Sequence, residues 1–272
     1  MECWLPHLAV CYPGFDSFVA ASGGPTPALA ATLVDAVLSW AAEHGMKAVS
    51  FPYVRTDTVL PEVLAERGFL SVPLTFRCRL TLGGSFEEYL ASLGSKHRYG
   101  VVRDRRRLAQ AGIQTKRCAF DDVLPDLLAL RCDLVERYGQ KADKDAEAEN
   151  LRQLFTCFGA GGTRVYCSFL DGEVVGFSLL LVWGDSWYGY FTGTYATPRT
   201  RGAYFDHLFY APIADASADG VRILDMGIGA WQGKSLRGFD LTPVDLWVRA
   251  LDPGIARAVE VAAPAMGREV GW

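Results

Sequence analysis

A chain of 272 residues, half of them hydrophobic, is long enough to bury one large apolar core or two smaller ones. Its formal net charge of −4 disfavours broad, non-specific binding of nucleic acid but allows a local basic surface. The most apolar stretch, Val174–Trp183, is far shorter than the ~20 residues that a membrane-spanning helix needs, so we expect no membrane segment.

The seven cysteines include no Cys-x-x-Cys pair, and the four histidines are scattered along the chain. This pattern favours reduced thiols over a disulfide framework, and it indicates no metal site. The N-terminus has no basic segment ahead of an apolar run, so it lacks the features of a secretory signal. We therefore expect a cytoplasmic protein.

The N-terminal third of the chain predicts the order helix, strand, helix, strand. Pro27 after Thr26 predicts a helix start, and apolar spacing continues this helix toward Gly45. The segments that follow are predicted as a strand, a helix and a strand, at Ala48–Val54, Leu60–Arg67 and Phe69–Leu82. A capping box of Ser85 and Glu88 then begins a short helix.

The most informative segment is 95–112, a predicted helix that carries six cations in an acidic chain. The cations are Lys96, Arg98, Arg103, Arg105, Arg106 and Arg107. At helical spacing, Val101, Val102 and Leu108 form an apolar side, so the cations face outward or into a groove. Such a surface either binds an anionic partner or is a solvated, salt-bridged helix face, and the pattern alone leaves both interpretations open.

Beyond Gly112, which ends this helix, the patterns predict a strand, two helices, three strands, a helix and a strand. Asp171-Gly172 and Gly184-Asp185 are two-residue turns, so the three strands form an antiparallel meander. The predicted elements are Ile113–Phe120, Val123–Tyr138, Ala146–Phe158, Arg164–Leu170, Val174–Trp183, Trp187–Thr192, Ala203–Ala218 and Val221–Met226. This order resembles that of a GNAT-type acyltransferase domain.

Two groups of residues resemble the Fem-type aminoacyl-tRNA-dependent transferases and their GNAT relatives. The first runs from Tyr89 through the basic helix to Ile113, and the second comprises Leu224–Gly227 and Gly233–Phe239. Their succession over roughly residues 70–245 makes the match more specific than any single motif. The resemblance implies an α/β (α+β) fold of tandem GNAT-like domains, with a mixed sheet flanked by helices. The implied parts are a reduced N-terminal domain at 1–94, a GNAT domain at 95–240, and a C-terminal segment at 241–272 that returns to the first domain.

The resemblance implies an amide-forming N-acyltransferase in which an amine attacks an activated acyl or aminoacyl group directly. The implied donor is aminoacyl-tRNA, and the implied acceptor is a small-molecule or peptide amine, with no tightly bound cofactor. Arg199–Tyr204 has the cation and the first glycine of a coenzyme A pyrophosphate loop, but Tyr204 stands at its last small position. Three alternatives stay open: a phosphopantetheine thioester on an acidic acyl carrier protein, an acyl-CoA donor, and a catalytically inactive GNAT-like binding module. The basic helix would attract either polyanion, tRNA or carrier protein.

Amide formation needs fixed hydrogen-bond donors for the developing oxyanion, and in GNAT folds these are backbone N–H groups where two parallel strands splay apart. Element order places this splay between Trp187–Thr192 and Val221–Met226. The side chains predicted to act in catalysis are Asp225, as base or amine-orienting group, Lys234, as anion or transition-state ligand, and Tyr190. Substrate binding is predicted for Lys96, Arg98, Arg103, Arg199, Arg201, Tyr188 and Tyr195, and docking of a larger acidic partner for Arg105, Arg106 and Arg107. A structural alternative accompanies these predictions: Asp225 caps nearby backbone, Lys234 is a solvated loop lysine, and most of the tyrosines pack in the core.

Three rival motifs fail on spacing. Gly227–Ser235 resembles a phosphate-binding P-loop, but the position of its first glycine falls on Ile228. Gly233–Gly238 is not a Gly-x-Ser-x-Gly nucleophile elbow, because two residues separate Ser235 from the last glycine. His207 follows Asp206 on a predicted helix, where adjacent side chains diverge, so no catalytic triad is indicated.

Overall fold

The computed structural model describes residues 5–11 and 15–269, with side chains through residue 261. The described residues form two compact units. Unit 1 takes its residues from Met1–Cys78, Ile228–Trp231 and Leu241–Trp272, and unit 2 takes its residues from Arg79–Gly227 and Gln232–Asp240. Each unit has its own set of strands and its own apolar core, described separately below.

Unit 1 contains a small mixed sheet with the strand order β1, β2, β9, β3. Strand β1 (His7–Ala9) runs parallel to β2 (Ala48–Arg55), and β2 runs antiparallel to β9 (Asp240–Ala250). Strand β3 (Leu70–Thr81) contributes its residues up to Cys78 to this unit. The first and last thirds of the chain thus share one sheet.

The helices of unit 1 are α1 (Pro27–Glu43), α2 (Leu60–Glu66) and α10 (Pro253–Glu269). Helix α1 begins as predicted, because the Thr26 hydroxyl accepts a hydrogen bond from the backbone N–H of Leu29 at 3.2 Å. The core of this unit lies between α1, α2 and the sheet, and its largest buried side chains include Val34, Phe51, Leu64, Phe69 and Trp247.

Unit 2 contains a longer mixed sheet. The last residues of β3, Arg79–Thr81, pair antiparallel with β8 (Ile223–Asp225), and β8 runs parallel to β7 (Ser186–Thr194). Strands β7, β6 (Glu173–Trp183), β5 (Thr163–Leu170) and β4 (Gln114–Cys118) follow as an antiparallel series. The meander predicted from the two turns is therefore present.

Helices pack on both faces of this sheet. The helices of unit 2 are α3 (Phe86–Ser92), α4 (Ser95–Gln110), α5 (Phe120–Arg137), α6 (Lys144–Gly162), α7 (Ala203–Phe205), a π-helical turn at Asp206–Tyr210, α8 (Ala211–Ala218) and most of α9 (Trp231–Ser235). Helices α5 and α6 cover the face that carries Val165 and Cys167. Tyr166 and Ser168, which alternate with them along β5, contact the segment after α7 on the other face.

The predicted elements of unit 2 are confirmed in type and order, with ends that differ by a few residues. One detail of the basic helix was wrong: Val102, predicted on its apolar side, is 41% exposed, whereas Val101 and Leu108 are buried. Val102 is adjacent to Val101 in sequence, so it lies about 100° away around the helix and beyond the narrow buried stripe.

Within residues 5–11 and 15–269, no helix is long and apolar enough to cross a bilayer. The six described cysteines are all free thiols. In the same described ranges, no three histidine, cysteine, aspartate or glutamate side chains gather in a way that could hold a metal ion.

Candidate active site

The feature that organises the candidate site is the point where the parallel pairing of β7 with β8 stops. The two strands pair in parallel only from Ser186 to Tyr188, opposite Ile223 to Asp225, after which β7 continues to Thr194 and β8 ends. A Cβ atom placed on Gly189 would meet the Met226 side chain at 2.6 Å, so that side chain occupies the start of the gap. The parallel pair thus lies where element order places it, and the splay beyond Tyr188 stays a prediction.

A β-bulge lies beside this gap. Leu180 of β6 pairs with Gly189 and the preceding Leu179 pairs with Phe191, so Tyr190 is an extra residue in β7. The backbone N–H and C=O of a bulged residue fall outside the regular ladder, which leaves them able to bind another group. The Tyr190 ring is 47% exposed and contacts the Phe191 ring edge-on, with ring centroids 4.8 Å apart.

A cavity of about 480 Å³, here called the arginine–tyrosine pocket, lies at the end of β7. Its walls come from the end of α5, from Thr192–Thr194, and from the loop that leads into α7. The charged and aromatic side chains that line it are Arg137, Arg201, Tyr138, Tyr195 and Tyr204. This combination suits a ligand that has both anionic and planar groups, because guanidinium binds phosphate or carboxylate and tyrosine rings stack on planar rings.

The two arginines of the pocket differ in their partners. Arg137 Nη2 donates to the Thr194 carbonyl at 2.6 Å, and its Nε lies 2.8 Å from Asp133. Arg201 is exposed and makes no ion pair within the described part of the chain. Burial raises the pKa of Tyr204 to about 12 and also raises the pKa of Tyr195, so both phenols are neutral near neutral pH.

Asp225 lies at the end of β8 with its carboxylate almost fully buried. One oxygen accepts from Arg79 Nε at 2.7 Å and the other accepts from the backbone N–H of Gly227 at 2.9 Å. These contacts hold the turn that follows β8 and balance the carboxylate charge. The structure places Asp225 directly opposite Tyr188 on β7, in the last of the three parallel pairs.

Lys234 lies in the short helix α9 and is 4% exposed. Its Nζ donates to the carbonyl of Met226 at 2.7 Å, which ties α9 to the end of β8. Asp225, Met226 and Lys234 are therefore brought together on one side of the gap between the strands.

The remaining predicted binding residues fall into different surroundings. Arg199 lies outside the arginine–tyrosine pocket and pairs with Asp171 at 2.7 Å. Tyr188 and Tyr195 pack partly against the core beneath α5 and α6, and Tyr195 also lines the pocket. Arg201 is the predicted cation that the structure places in the pocket wall.

The cations of α4 do not act alike. Arg98 donates to the carbonyls of Leu90, Ala91 and Leu93, so its guanidinium caps the end of α3. Arg105 lies 4.9 Å above the Phe86 ring. The exposed cations of this helix include Lys96, Arg103, Arg106 and Arg107. These four, here called the α4 cations, form the basic surface available to a partner.

Sequence reasoning missed two buried polar groups in unit 2. Asp104, the one acidic residue of helix α4, accepts from Arg237 Nη2 at 3.2 Å and from the Tyr210 hydroxyl at 3.1 Å. His207 is fully buried, and its ring nitrogens lie 3.0 Å from the Ser168 hydroxyl and 3.1 Å from the Thr194 hydroxyl. The sequence gives only a weak indication of either group. Each is a titratable residue at a helical position where an apolar residue would suit the core.

Comparison with solved structures gives the fold. FemX superposes with a TM-score of 0.62 at 13% identity, over 86% of this chain and 80% of that one. L-PGS from Bacillus licheniformis superposes with a TM-score of 0.59 at 14% identity, over 89% of this chain and 78% of that one. A tandem GNAT protein from the clavulanic acid biosynthesis pathway superposes with a TM-score of 0.54 at 13% identity, over 90% of this chain and 75% of that one. A search of curated proteins found no match.

The mixed sheet, with β7 and β8 parallel beside a bulge, agrees with the family match, which makes this chain an acyltransferase. The model of the acetyltransferase (GNAT) domain family matches residues 95–235, which is more than half of the chain. The chain belongs to this family and shares its fold with Fem-type and tandem GNAT proteins.

Proposed function

We propose that this protein forms an amide by transferring an aminoacyl group from aminoacyl-tRNA to an amine. The observation that carries the proposal is the arginine–tyrosine pocket, which lies on the same strand as the bulge. An activated ester whose carbonyl lies at the bulge would place its nucleotide end toward this pocket.

The pocket supports a nucleotide-linked donor. Arg201 supplies positive charge for phosphate, and three tyrosine rings supply surfaces for base stacking. Gly202 has a φ of 97°, a left-handed conformation that glycine adopts at low cost. The backbone of the loop can therefore turn sharply at the entrance to α7.

The α4 cations support a macromolecular donor. Coenzyme A alone would need only a pocket, whereas tRNA carries a long array of phosphates that an exposed basic helix can bind. Likeness to FemX, and the Fem-type residues from Tyr89 to Ile113, point in the same direction. A phosphopantetheine thioester on an acidic carrier protein remains the competing donor, because the same field would attract it.

The proposed reaction needs no covalent enzyme intermediate. The neutral amine attacks the ester carbonyl, the C–N bond forms, and the C–O bond to the ribose breaks as the nitrogen loses its proton. Backbone N–H at the Tyr190 bulge stabilises the developing oxyanion. The Tyr190 hydroxyl gives its proton to the leaving ribose oxygen and takes up the proton that the nitrogen loses, so it is neutral again after the step. Asp225 and Lys234 hold the end of β8 so that the gap stays open.

Tyr190→Phe should lower kcat on the order of 100-fold and leave KM for the donor nearly unchanged. The variant keeps the aromatic ring that contacts the donor but lacks the hydroxyl that gives a proton to the leaving oxygen. Initial rates of multiple-turnover transfer at a series of radiolabelled aminoacyl-tRNA concentrations measure both constants. The matched control is Tyr138→Phe, which removes a hydroxyl from the exposed rim of the pocket. Equal kcat for Tyr190→Phe and the wild type would exclude the hydroxyl from proton transfer.

Reversing charge on α4 should weaken binding of tRNA. The double variant Arg106→Glu/Arg107→Glu should bind tRNA about tenfold or more weakly, and the slope of log K against log salt should fall by roughly 1 for each phosphate that these arginines neutralise in the wild type. Filter binding over a salt series measures this slope. The control Arg152→Glu/Arg222→Glu makes the same change in net charge at exposed positions outside α4.

The choice of donor is tested separately. Gel filtration of the protein with tRNA, with a pantetheinylated carrier protein and with coenzyme A should show co-elution with tRNA. Co-elution with the carrier alone would replace aminoacyl-tRNA by a carrier-bound thioester and leave acyl transfer intact.

A further inference from the structure

The exposed side of helix α4 carries an aromatic side chain among its cations. Tyr99 lies in the second turn of this helix and is 68% exposed. Among the residues that the structure describes, neither its ring nor its hydroxyl takes part in a ring contact or a hydrogen bond. Val102, three residues further along, is 41% exposed and lies beside the tyrosine on the helix surface. The Tyr99 ring is therefore accessible to a ligand.

The direction in which Tyr99 projects follows from helical geometry. Leu108, nine residues later, lies about 180° away around the helix and packs in the core with Ile113 and Ala203. Arg106, seven residues after Tyr99, projects within about 20° of it. Tyr99 thus occupies the centre of the solvent-exposed side of α4, in line with a cation.

Positive charge lies on both sides of the ring along the helix. Lys96 precedes Tyr99 by three residues and Arg103 follows it by four, so both are its neighbours on the helix surface. The Arg103 guanidinium lies 3.6 Å from the Asp104 carboxylate. Lys96 and Arg106 form no ion pair with any side chain that the structure describes. From Lys96 to Arg106 the helix rises by about 15 Å, which gives a strip of positive charge with the ring inside it.

Cations around an aromatic ring fit the two parts of a single strand of nucleic acid. Lysine and arginine bind the phosphates, and an aromatic ring stacks on an unpaired base. In a duplex the bases are stacked on one another inside the double helix, so they would leave the ring without a partner. The carboxylates of an acidic protein would attract the cations but would not stack on the ring. An unpaired nucleotide is the partner that engages both kinds of side chain.

We propose that the exposed side of α4 binds an unpaired segment of RNA, in which one base stacks on Tyr99. Lys96 and Arg106, with Arg103 between them, bind the phosphates on either side of that base. This inference rests on the proposed function, in which α4 binds the RNA of the donor. Tyr99 does not line the arginine–tyrosine pocket, so the stacked base belongs to a different nucleotide from the one held there.

Two fluorescein-labelled oligonucleotides measure the stacking without a donor or catalysis. One is an oligoadenylate, and the other has the same length and the same sugar-phosphate backbone but abasic sugars. Fluorescence anisotropy at one fixed salt concentration gives the affinity of the full-length protein for each. The wild type should bind the oligoadenylate about tenfold more tightly than the abasic oligonucleotide, because both present the phosphates but only the first has bases that stack on Tyr99.

Four variants assign this preference to the ring. Tyr99→Phe keeps the ring and should keep the preference, whereas Tyr99→Leu keeps an apolar side chain without a ring and should bind the two oligonucleotides equally. Arg106→Glu should weaken binding of both alike and leave their ratio unchanged, because it acts on the phosphates. The control is Trp183→Ala, which removes a 74% exposed aromatic side chain outside α4 and should change neither affinity. Circular dichroism checks that each variant is folded.

Equal affinity of the wild type for the two oligonucleotides, or no measurable binding of either, overturns the proposal. A preference that survives Tyr99→Leu in a folded variant also overturns it. If Tyr99→Leu does not fold, Tyr99→Ala replaces it, since alanine suits an exposed helical position. The proposed function fails in a different way: aminoacyl-tRNA would give no transfer, while the preference for the oligoadenylate and its loss in Tyr99→Leu would persist.

Discussion

Acidification from pH 6.5 toward pH 3 should destabilise the wild-type protein more steeply than a His207→Gln variant. Burial lowers the pKa of His207 from 6.5 to about 3. Between pH 6.5 and pH 3 the His207 imidazole is protonated in the unfolded chain but not in the folded protein. The stability that this group contributes is therefore fully present above pH 6.5 and is lost as the pH falls. The extra slope is at most about 1.4 kcal/mol per pH unit, the value for one proton.

The surroundings of His207 explain why its imidazole stays neutral. Its two nitrogens meet the hydroxyls of Ser168 and Thr194, which cannot balance a positive charge. The Tyr204 ring lies 6.2 Å away between centroids, and its own raised pKa keeps it uncharged. Gly176 leaves room for the imidazole, since a Cβ there would meet His207 Cε1 closer than any normal contact.

Urea unfolding of both proteins at several pH values gives the comparison. The measured quantity is the difference in unfolding free energy between wild type and His207→Gln as a function of pH, because other acidic groups affect both proteins alike. His44→Gln, at an exposed position of unit 1, is the matched control and should leave the slope unchanged. Parallel pH profiles for the wild type and His207→Gln would show that the folded protein accepts a proton at this imidazole.

Local sequence signals predict most of unit 2 because they act over a few residues. Asp171 has a φ of 54° and Gly172 a φ of 89°, which is the paired left-handed geometry that an Asp-Gly hairpin turn requires. The capping box at Ser85 was predicted for the same reason, and the Glu88 N–H donates to the Ser85 hydroxyl at 3.1 Å. Such elements need no knowledge of the rest of the chain.

These local signals did not predict the last part of unit 1. No element was predicted for β9 or α10, although β9 pairs with β2 from Ala48 to Arg55. Strand β9 contains Pro243 and several charged residues, so its local pattern is weak, and its pairing partner lies almost two hundred residues earlier. A strand of this kind is specified by its neighbours in the sheet rather than by its own alternation.

The candidate site was predictable in position more than in detail. The order of elements locates the splay between β7 and β8, because that order determines which strands are adjacent. The bulge at Tyr190, the burial of Lys234 against Met226 and the capping role of Arg98 all depend on partners that are remote in sequence. A lysine between glycines and an arginine in a basic run look exposed until their partners are known.

Asp104→Ala should lower the free energy of unfolding by about 3–5 kcal/mol, a large effect for one residue on a basic helix. The substitution removes the carboxylate that faces Arg237, whose side chain is only 8% exposed. The remaining contacts of this guanidinium, to the Tyr210 hydroxyl, the Gly233 carbonyl and the Phe205 ring, provide no negative charge. Removal of one partner of a buried ion pair leaves the other charge uncompensated.

The test is a double-mutant cycle. Asp104→Ala/Arg237→Met should lose less stability than the sum of the two single variants, because the double variant no longer buries an unpaired charge. Asp35→Ala, which breaks an exposed pair with Arg67, is the control and should change stability little. Additive losses would mean that Asp104 and Arg237 act independently. Coupling would instead show that the Asp104 carboxylate anchors α4 through Arg237.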